Sequence, residues 1–228
     1  MGAQFDEYAK NYDQLVDSAL SSTGEGKDYF ATRRVEWVSS YLERLGLQPR
    51  ILLDYGCGNG SNAPLLLQQL RLDSLIGVDV SEQSIAEARR RAPLKATFST
   101  PSSFALNQQA DLAYACGVFH HIAPTERTTA LNYVYRALKP GGIFTFFEHN
   151  PWNPGTRYVM SNCEFDKDAI TITPAEAPTL LQSAGFQVLT REFLFFFPKW
   201  LGFLRRLEPM LKKVPLGGQY VVVGRRLR

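Results

Sequence analysis

Two carboxylates and three glycines stand at a spacing that suits the binding of a small ligand. Asp54 ends an apolar run and leads into Gly56, Gly58 and Gly60, and Asp79 ends a second apolar run 19 residues after the last glycine. Glycines are needed where a backbone takes positive φ or approaches a ligand closely. An acidic residue at the tip of the second strand is placed to hold a pair of ribose hydroxyls. The pattern predicts a site for a nucleoside-bearing cofactor.

The spacing of the glycines favours a cofactor without phosphate. A dinucleotide site has the pattern Gly-x-Gly-x-x-Gly, with a helix N-terminus facing the pyrophosphate. Here the third glycine comes one residue early, and Asp54 stands two residues before the first. A carboxylate in this position repels pyrophosphate but suits a ligand that carries an ammonium group. S-adenosylmethionine (AdoMet) has an adenosine, a sulfonium and an α-ammonium and no phosphate, so the sequence favours AdoMet over NAD.

Four segments carry a resemblance to a known family. The run 54–60 resembles motif I of the class I AdoMet-dependent methyltransferases, and the run 77–81 resembles their ribose-binding motif. The runs 111–122 and 138–147 are similar to the family's fourth strand and to its helix end, turn and fifth strand. The resemblance implies an α/β, Rossmann-like, doubly wound seven-stranded sheet. It also implies that the sheet is mostly parallel with an antiparallel last strand and has helices on both faces.

The resemblance also implies a set of cofactor-binding residues at the ends of the strands. They are Asp54, Gly56, Cys57, Gly58, Gly60, Asp79, Val80, Gly117 and Val118. The glycine loop would hold the methionine and ribose parts, Asp79 the ribose hydroxyls, and Val80 one side of the adenine. Gly117 and Val118 would lie near the transferable methyl. Cys57 is expected to be a small loop residue rather than a nucleophile. The residue that recognises adenine after the third strand is left open.

The histidines are candidates for proton transfer. His120 and His121 follow the fourth strand, and His149 follows the fifth, so all three reach the same edge of the sheet. Histidine can act as a general base because its pKa lies near neutral pH. For His121 a structural role in the turn is the alternative, whereas the long segment after His149 is expected to shape the acceptor pocket. No acidic pair has ligand spacing with these histidines, so no metal is expected.

The N-terminal segment resembles a lid over the cofactor. In the run 5–13, Tyr12 is expected to contact the cofactor carboxylate or to line the acceptor pocket, which makes it a third catalytic candidate. Tyr8 belongs to the same segment, and Arg33 is a candidate partner of the cofactor carboxylate. Helix packing for Tyr12 and surface pairing for Arg33 are the alternatives.

Strands and helices are expected to alternate along the chain. The predicted strands are 51–54, 75–79, 95–98, 111–115, 143–148, a strand from 186 and 220–223; the predicted helices are 5–18, 28–45, 61–71, 82–91, 125–138 and 173–184. Such alternation predicts a parallel sheet with helices on both faces. We expect residues 1–48 to form a lid and a first core helix, and residues 49–228 the cofactor-binding core.

Two inserted segments exceed what the sheet requires. Residues 149–172 leave from the edge of the sheet where ligands bind, and they are expected to form a substrate-side wall. Residues 198–218 place apolar and basic side chains at helical spacing, which predicts a basic amphipathic helix. Three interpretations are open for this segment. It packs on the protein's own core, it contacts an anionic membrane or lipid-like substrate through 198–213, or it docks to a partner.

Composition and charge restrict the class of protein. The 228 residues suit one domain, and three widely spaced cysteines indicate a reducing, cytoplasmic location without disulfides or structural zinc. Neither a signal peptide nor an apolar run of membrane-spanning length is recognised. Residues 191–228 hold nine Lys/Arg and two Glu, against 16 basic and 20 acidic residues in the remainder, so they form a basic pole.

Methyl transfer to oxygen or carbon of a small-molecule, glycan or lipid-linked acceptor is the predicted function. The fourth strand does not end in the Asn/Asp-Pro-Pro-aromatic signature of several amino-methylating families, since Cys116-Gly117-Val118-Phe119 stands there. No nucleic acid is expected as a partner. There are two alternatives. One is a nucleic-acid methyltransferase that uses the basic pole, and the other is a non-catalytic module for AdoMet binding or membrane docking.

Overall fold

The computed structural model describes residue 6, residues 11–103 and residues 107–227. Seven strands form one sheet: β1 (Ile51–Tyr55), β2 (Ser74–Val78), β3 (Ala96–Ser99), β4 (Ala110–Cys116), β5 (Leu138–His149), β6 (Phe186–Leu194) and β7 (Gln219–Arg226). Their order is β3-β2-β1-β4-β5-β7-β6. β1 to β5 pair in parallel, and β7 pairs antiparallel with both β5 and β6. The predicted fold class, with an antiparallel last strand between two others, is confirmed.

β5 differs from its predicted bounds because it begins at Leu138 rather than at residue 143. Leu138 pairs with Ala110, and the register then shifts so that Ile143 pairs with Leu112. The intervening residues, predicted as a turn, form a bulge between two paired parts of one strand. Gly141 has a φ of +83°, a backbone conformation that glycine adopts without strain.

Helices connect and flank the strands. The α-helices span Tyr12–Leu20, Lys27–Arg44, Ala63–Gln69, Glu82–Arg91, Arg127–Ala137, Pro154–Ser161, Glu176–Ser183 and Glu208–Leu211. Thr173 and Glu176 form a capping box, in which the Glu176 backbone donates to Thr173 Oγ1 at 3.2 Å and the Thr173 backbone donates to Glu176 Oε2 at 2.9 Å. That cap fixes the start of the helix, as the sequence predicted.

The core lies on both faces of the sheet. On one face, Val35, Val38 and Leu42 of the long helix pack in a cluster with Leu66 and Leu75. On the other face, the helices Arg127–Ala137 and Glu176–Ser183 pack against a second cluster. The sheet is therefore a rigid central layer, and loops at the carboxyl ends of its strands can position side chains accurately.

Residues 199–211 do not form the predicted continuous amphipathic helix. They form 3₁₀ turns over Lys199–Leu207, with non-helical backbone at Leu201, and then one helical turn, Glu208–Leu211. Pro209 has no backbone N–H to donate, so it interrupts the helical hydrogen bonds. Glu208 Oε1 accepts hydrogen bonds from the backbones of Phe196 and Phe197 at 3.1 and 3.3 Å, and these bonds hold the turn against the chain after β6.

The segment packs on the rest of the fold only in part, because Leu201, Leu204 and Leu211 are half-buried. None of its side chains is buried, and Trp200, Phe203 and Met210 are 72%, 68% and 81% exposed. Among the described helices, none is long and apolar enough to cross a membrane.

Replacement of Gly77 by alanine is expected to destabilise the fold. A Cβ at Gly77 would lie 2.4 Å from Cδ1 of Phe98, whose ring is buried, and 3.0 Å from Sγ of Cys57. Overpacking of this kind costs about 1–3 kcal/mol. Urea denaturation should therefore show a lower free energy of unfolding for Gly77→Ala. Gly202→Ala is the matched control, because its Cβ would meet only Arg205 at 4.0 Å. Equal stability of the two variants would contradict the close packing.

Candidate active site

A cleft opens at the carboxyl ends of β1, β2 and β4, and we call it the cofactor cleft. Eight of the predicted site residues line it: Tyr12, Gly56, Gly58, Asp79, Val80, Gly117, Val118 and His121. Its empty space, including the open mouth, is about 790 Å³. The topology brings these residues together because parallel strands end at one edge of the sheet.

Backbone hydrogen bonds fix the glycine loop against the second strand. The backbones of Gly56 and Cys57 both donate to the Val78 carbonyl, at 2.7 and 3.0 Å. The Gly58 backbone donates to Asp79 Oδ2 at 2.9 Å, and the Ser81 backbone donates to Asp79 Oδ1 at the same distance. Asp79 is thus held rigidly at the floor of the cleft while its carboxylate still faces the empty space.

Gly56 lets the loop approach the turn after β4. Its φ is +76°, and a Cβ there would lie 2.3 Å from Cγ2 of Val118. Any larger residue would push the loop away from Val118 and Gly117. The glycine loop, predicted to hold the methionine and ribose parts, therefore lies directly beside Gly117 and Val118, which are predicted to lie near the methyl group.

Asp54 lies beneath the loop as a buried carboxyl group. Burial, and then the negative charge of Asp79, raise the pKa of Asp54 to about 7. Two carboxylates in a poorly solvated site favour a cationic ligand. The site thus fits the ammonium and sulfonium of AdoMet by its charge, and the glycine loop leaves space for the ligand.

Cys57 and Gly60 form the packed underside of the loop. Cys57 is buried, and burial raises its pKa well above the ordinary value, so the thiol stays protonated. A Cβ at Gly60 would lie 2.9 Å from Cζ of Phe98. At the opposite rim, Val80 is exposed and Pro101 lines the cleft, so both border the predicted adenine position.

The N-terminal segment lies against the cleft where it is described. Asp6 Oδ1 accepts a hydrogen bond from Ser81 Oγ at 2.6 Å, next to Asp79. Tyr12 lines the cleft, and its ring stacks on Phe165 with centroids 5.2 Å apart. Burial raises the pKa of Tyr12, so its hydroxyl stays protonated. Tyr8 and most of the predicted lid lie outside the described residues.

A second space adjoins the cleft, and we call it the histidine chamber because His120, His121 and His149 line it. His120 stands between two carboxylates, with Nδ1 at 2.6 Å from Glu148 Oε2 and Nε2 at 3.4 Å from Asp166 Oδ1. Burial lowers the pKa of His120, but these carboxylates outweigh it and raise the pKa to about 9. His120 is therefore an imidazolium, with Glu148 and Asp166 ionised.

His121 is held by the same carboxylate, with Nε2 at 3.3 Å from Asp166 Oδ1. In the part of the chain that the structure describes, His120, His121 and Asp166 are the only group whose ligand atoms could converge on a metal. Glu148 and Asp166 already lie within hydrogen-bond distance of the two His120 ring nitrogens, which accounts for the close approach of these groups. This cluster is better explained as a charged hydrogen-bond network.

His149 has a different electrostatic state. Burial, followed by the charge of His120, lowers its pKa to about 4, so the ring is neutral at physiological pH. Across residues 11–103 and 107–227, no side chain or backbone group forms a hydrogen bond with its ring nitrogens. A Cβ at Gly117 would lie 3.9 Å from His149 Nε2. His149 thus has a neutral, unprotonated ring nitrogen beside Gly117, at the end of the cleft predicted to hold the methyl group.

Arg33 does not reach the cleft, contrary to its predicted role. Its side chain is half exposed and pairs with Glu36 at 2.7 Å on the helix surface. The next residue, Arg34, is buried and lines the histidine chamber. One helical position, about 100° around the axis, separates the two side chains.

Arg34 forms hydrogen bonds only with neutral partners among the described residues. Its Nε donates to Tyr114 Oη at 3.3 Å, and one terminal nitrogen donates to Gln219 Oε1 at 3.1 Å. No described carboxylate lies within ion-pair distance. A buried guanidinium without a carboxylate partner favours an anionic ligand.

The sequence did not identify Arg34, Glu148 or Asp166 as site residues. Arg34 shares the buried face of its helix with Val35 and Val38, and that 3.6-residue pattern was the available signal. Glu148 stands directly before His149, where alternation along β5 gave no reason for an acid. Asp166 comes from a 3₁₀ turn in the long insertion, and only folding brings it to the histidines.

The strand order and the glycine-lined cleft define a Rossmann-like enzyme class that binds nucleoside cofactors. The sequence pattern of the methyltransferase domain family matches residues 52–142. Residues 52–142 therefore resemble a methyltransferase domain, and S-adenosylmethionine is the cofactor that this resemblance implies.

Three curated relatives illustrate the range of this similarity. A methyltransferase of Synechocystis is 28% identical over 159 residues, which are 66% of this chain and 73% of that protein. Trans-aconitate 2-methyltransferase of Acidovorax is 34% identical over 96 residues, 42% of this chain and 36% of the enzyme. Cyclopropane-fatty-acyl-phospholipid synthase of Escherichia coli is 35% identical over 131 residues, 53% of this chain and 34% of the enzyme. The chain thus spans about a third of the latter two.

A solved structure supports the fold. An AdoMet-dependent methyltransferase of Mesorhizobium loti superposes with a TM-score of 0.58 at 23% identity and covers 84% of this chain and 98% of that one. At this identity the likeness concerns the fold alone.

Proposed function

We propose that the chain transfers the AdoMet methyl group to oxygen or carbon of a small-molecule, glycan or lipid-linked acceptor, with His149 as general base. The observation that carries this proposal is the neutral His149 imidazole beside Gly117, at the end of the cleft predicted to hold the methyl; its ring nitrogens have no hydrogen-bond partner among the described residues. The similarity to enzymes named for trans-aconitate and for fatty-acyl phospholipid is consistent with small-molecule or lipid acceptors.

The cofactor site follows from the charges around the cleft. Asp79 holds the ribose hydroxyls, Val80 borders the adenine, and the loop of Gly56, Gly58 and Gly60 surrounds the methionine part. Asp54 faces the cationic groups of the cofactor. Arg34, rather than Arg33, takes the carboxylate, since it is buried, lines the histidine chamber and pairs with no acidic side chain among the described residues. The segment up to residue 48 serves as a lid with the first core helix behind it.

AdoMet supplies a methyl group that is already activated by its sulfonium. In the transfer, the bond from methyl carbon to sulfur breaks, its electron pair stays on sulfur, and a new bond forms to the acceptor oxygen or carbon. His149 Nε2 or Nδ1 takes the proton that the acceptor loses. The charges of Asp166 and Glu148 favour the imidazolium that results, against the larger opposing effects of burial and of the His120 charge. Gly117 leaves space for the acceptor atom beside the ring, and alignment alone supplies roughly 7–11 kcal/mol.

The nucleic-acid alternative finds less support than a small acceptor. Several basic side chains near the C-terminus are engaged within the fold, since Lys212 and Lys213 pair with Glu192 and Arg205 pairs with Glu25. Membrane contact through 198–213 stays a prediction, which the exposed apolar side chains of this segment favour.

An acceptor screen tests the proposed reaction. Purified protein and AdoMet are incubated with water-soluble metabolites and, separately, with lipid extract, and products are sought by the mass added with one methyl group. His149→Ala is the control. Products formed by the wild type alone support the proposal, and methylation of nucleic acid instead of either pool would contradict it.

AdoMet affinity is expected to rise with pH up to about 7. Asp54 is protonated below its pKa of about 7 in the free protein, and the cofactor ammonium favours the ionised form. Binding therefore releases a proton below pH 7, and affinity changes by up to roughly tenfold per pH unit there. Calorimetric titration in buffers of different ionisation enthalpy measures this release. Asp54→Asn should bind more weakly and without the pH dependence; an unchanged dependence would refute the role of Asp54.

Replacement of Arg34 by methionine is expected to weaken AdoMet binding. Loss of a buried charge-assisted hydrogen bond costs about 1.5–3 kcal/mol, or roughly ten- to hundredfold in Kd. Arg33→Met is the matched control, because that side chain pairs with Glu36 on the surface. Calorimetric titration of both variants gives the comparison. A larger loss for Arg33→Met would restore the original assignment of the cofactor carboxylate.

A further inference from the structure

A third space opens beyond the histidine chamber, and we call it the aromatic chamber. Seven tyrosine, phenylalanine and tryptophan side chains line it: Tyr29, Phe30, Tyr158, Phe195, Phe196, Phe197 and Trp200. Its empty space, including the mouth, is about 1090 Å³. Such a density of aromatic walls is typical of a site for an apolar ligand.

The three spaces lie next to one another and share wall residues. The cofactor cleft and the histidine chamber share Tyr12, Gly117 and His121 in their walls. The histidine chamber and the aromatic chamber share Phe30, His149 and Val159. A molecule in the aromatic chamber can therefore extend past His149 to Gly117 at the methyl end of the cleft.

The histidine chamber is richer in charged and imidazole side chains than the aromatic chamber. The inner end holds the imidazoles and the Arg34 guanidinium, and the middle part is aromatic. Arg205 and Glu25 form an ion pair near the mouth, with 2.8 Å between Arg205 and Glu25, and the Arg205 guanidinium lies 4.6 Å from the centre of the Tyr29 ring. The two charges therefore neutralise each other. At the mouth, Tyr158 and Trp200 are 61% and 72% exposed. The exposed Phe203 and Met210 follow Trp200 in the chain.

We propose that the acceptor is an amphiphile whose polar end reacts beside His149 and whose apolar chain, alkyl or isoprenoid, fills the aromatic chamber and leaves between Tyr158 and Trp200. This inference rests on the proposed function for its reaction and adds the class of acceptor. The difference in polarity between the two chambers gives the orientation: the polar group lies inward, where hydrogen-bonding side chains stand, and the chain points outward. An acceptor that is methylated in the middle of its apolar chain would not need polar side chains at the inner end.

A series of 4-alkylphenols from ethyl to dodecyl tests the proposal, with Kd measured by calorimetry on the full chain. Affinity is expected to increase roughly fourfold per added methylene until the chain passes the mouth. Val159→Phe narrows the shared wall and should weaken binding of every member at least tenfold. Trp200→Glu should weaken only the long members, because short chains end before the mouth. Leu47→Phe, on a distant surface, is the control.

AdoMet titrations on the same proteins separate this proposal from the proposed function. All variants should keep wild-type AdoMet affinity. Affinity independent of chain length, no binding of any alkylphenol, or an equal loss for short and long chains in Trp200→Glu would overturn the acceptor assignment. If alkylphenol affinity depends on chain length but the protein does not bind AdoMet, the proposed function is refuted. The aromatic chamber would then still be a binding site for apolar chains.

Discussion

Asp79→Ala is expected to weaken AdoMet binding by a factor of a hundred or more. In the proposed function the carboxylate accepts two charge-assisted hydrogen bonds from the ribose hydroxyls, and each would contribute about 1.5–3 kcal/mol. The substitution also removes the acceptor of the Gly58 and Ser81 backbone N–H groups, at 2.9 Å each, so the glycine loop loses its fixed position. Calorimetric titration with AdoMet measures the effect.

Two controls separate ribose binding from loss of structure. Asp73→Ala removes an exposed aspartate at the opposite end of β2, and it should bind AdoMet as the wild type does. Asp79→Asn keeps one oxygen acceptor and should show an intermediate Kd. A wild-type Kd in Asp79→Ala would refute the ribose assignment, and thermal unfolding of each variant establishes that the fold is retained.

His149→Ala is expected to lower kcat by about 10²- to 10⁴-fold, the usual contribution of a general base, with little change in AdoMet affinity. Because the pKa of His149 is lowered to about 4, the wild-type ring is already neutral above about pH 5. The wild-type rate should then be constant from about pH 6 to 9 and fall only in acid. The measurement is methyl transfer to the acceptor found in the screen.

Addition of imidazole distinguishes a missing base from a damaged pocket. Exogenous imidazole should restore part of the rate of His149→Ala, since the substitution leaves a space that adjoins both chambers. His121→Ala should retain more activity, because its ring is engaged by Asp166. Full activity of His149→Ala, or a larger loss in His121→Ala, would transfer the role of base away from His149.

The sequence predicted the parallel part of the sheet and the glycine loop because both are encoded locally. Apolar runs that end in Asp54 and Asp79 determine where two strands end, and parallel pairing then places those ends together. β5 was predicted too short because pattern reasoning treats Pro140 and Gly141 as a stop, whereas pairing of Leu138 with Ala110 continues the strand. Tertiary pairing overrode the local signal there.

The charge network could not be predicted because it depends on contacts between distant segments. Glu148 meets His120 through the pairing of β4 with β5, and Asp166 meets it only after the long insertion folds against this edge of the sheet. Arg33 and Arg34 differ by one position, and only the packing of their helix shows which one faces inward. The segment after Pro198 had apolar residues at helical spacing, yet the helix breaks and leaves several of them exposed, since spacing alone does not show whether a surface is available to cover them.

The position of β7 also bears on how the chain folds during synthesis. β7 lies between β5 and β6, and it is the strand with which β6 pairs. While the ribosome is still making residues 219–226, β1 to β5 can already assemble in parallel, but β6 has no neighbour and the edge of β5 is open. Phe195, Phe196 and Phe197 directly follow β6. The apolar wall of the aromatic chamber is therefore exposed to chaperones and to other nascent chains until the last strand is inserted.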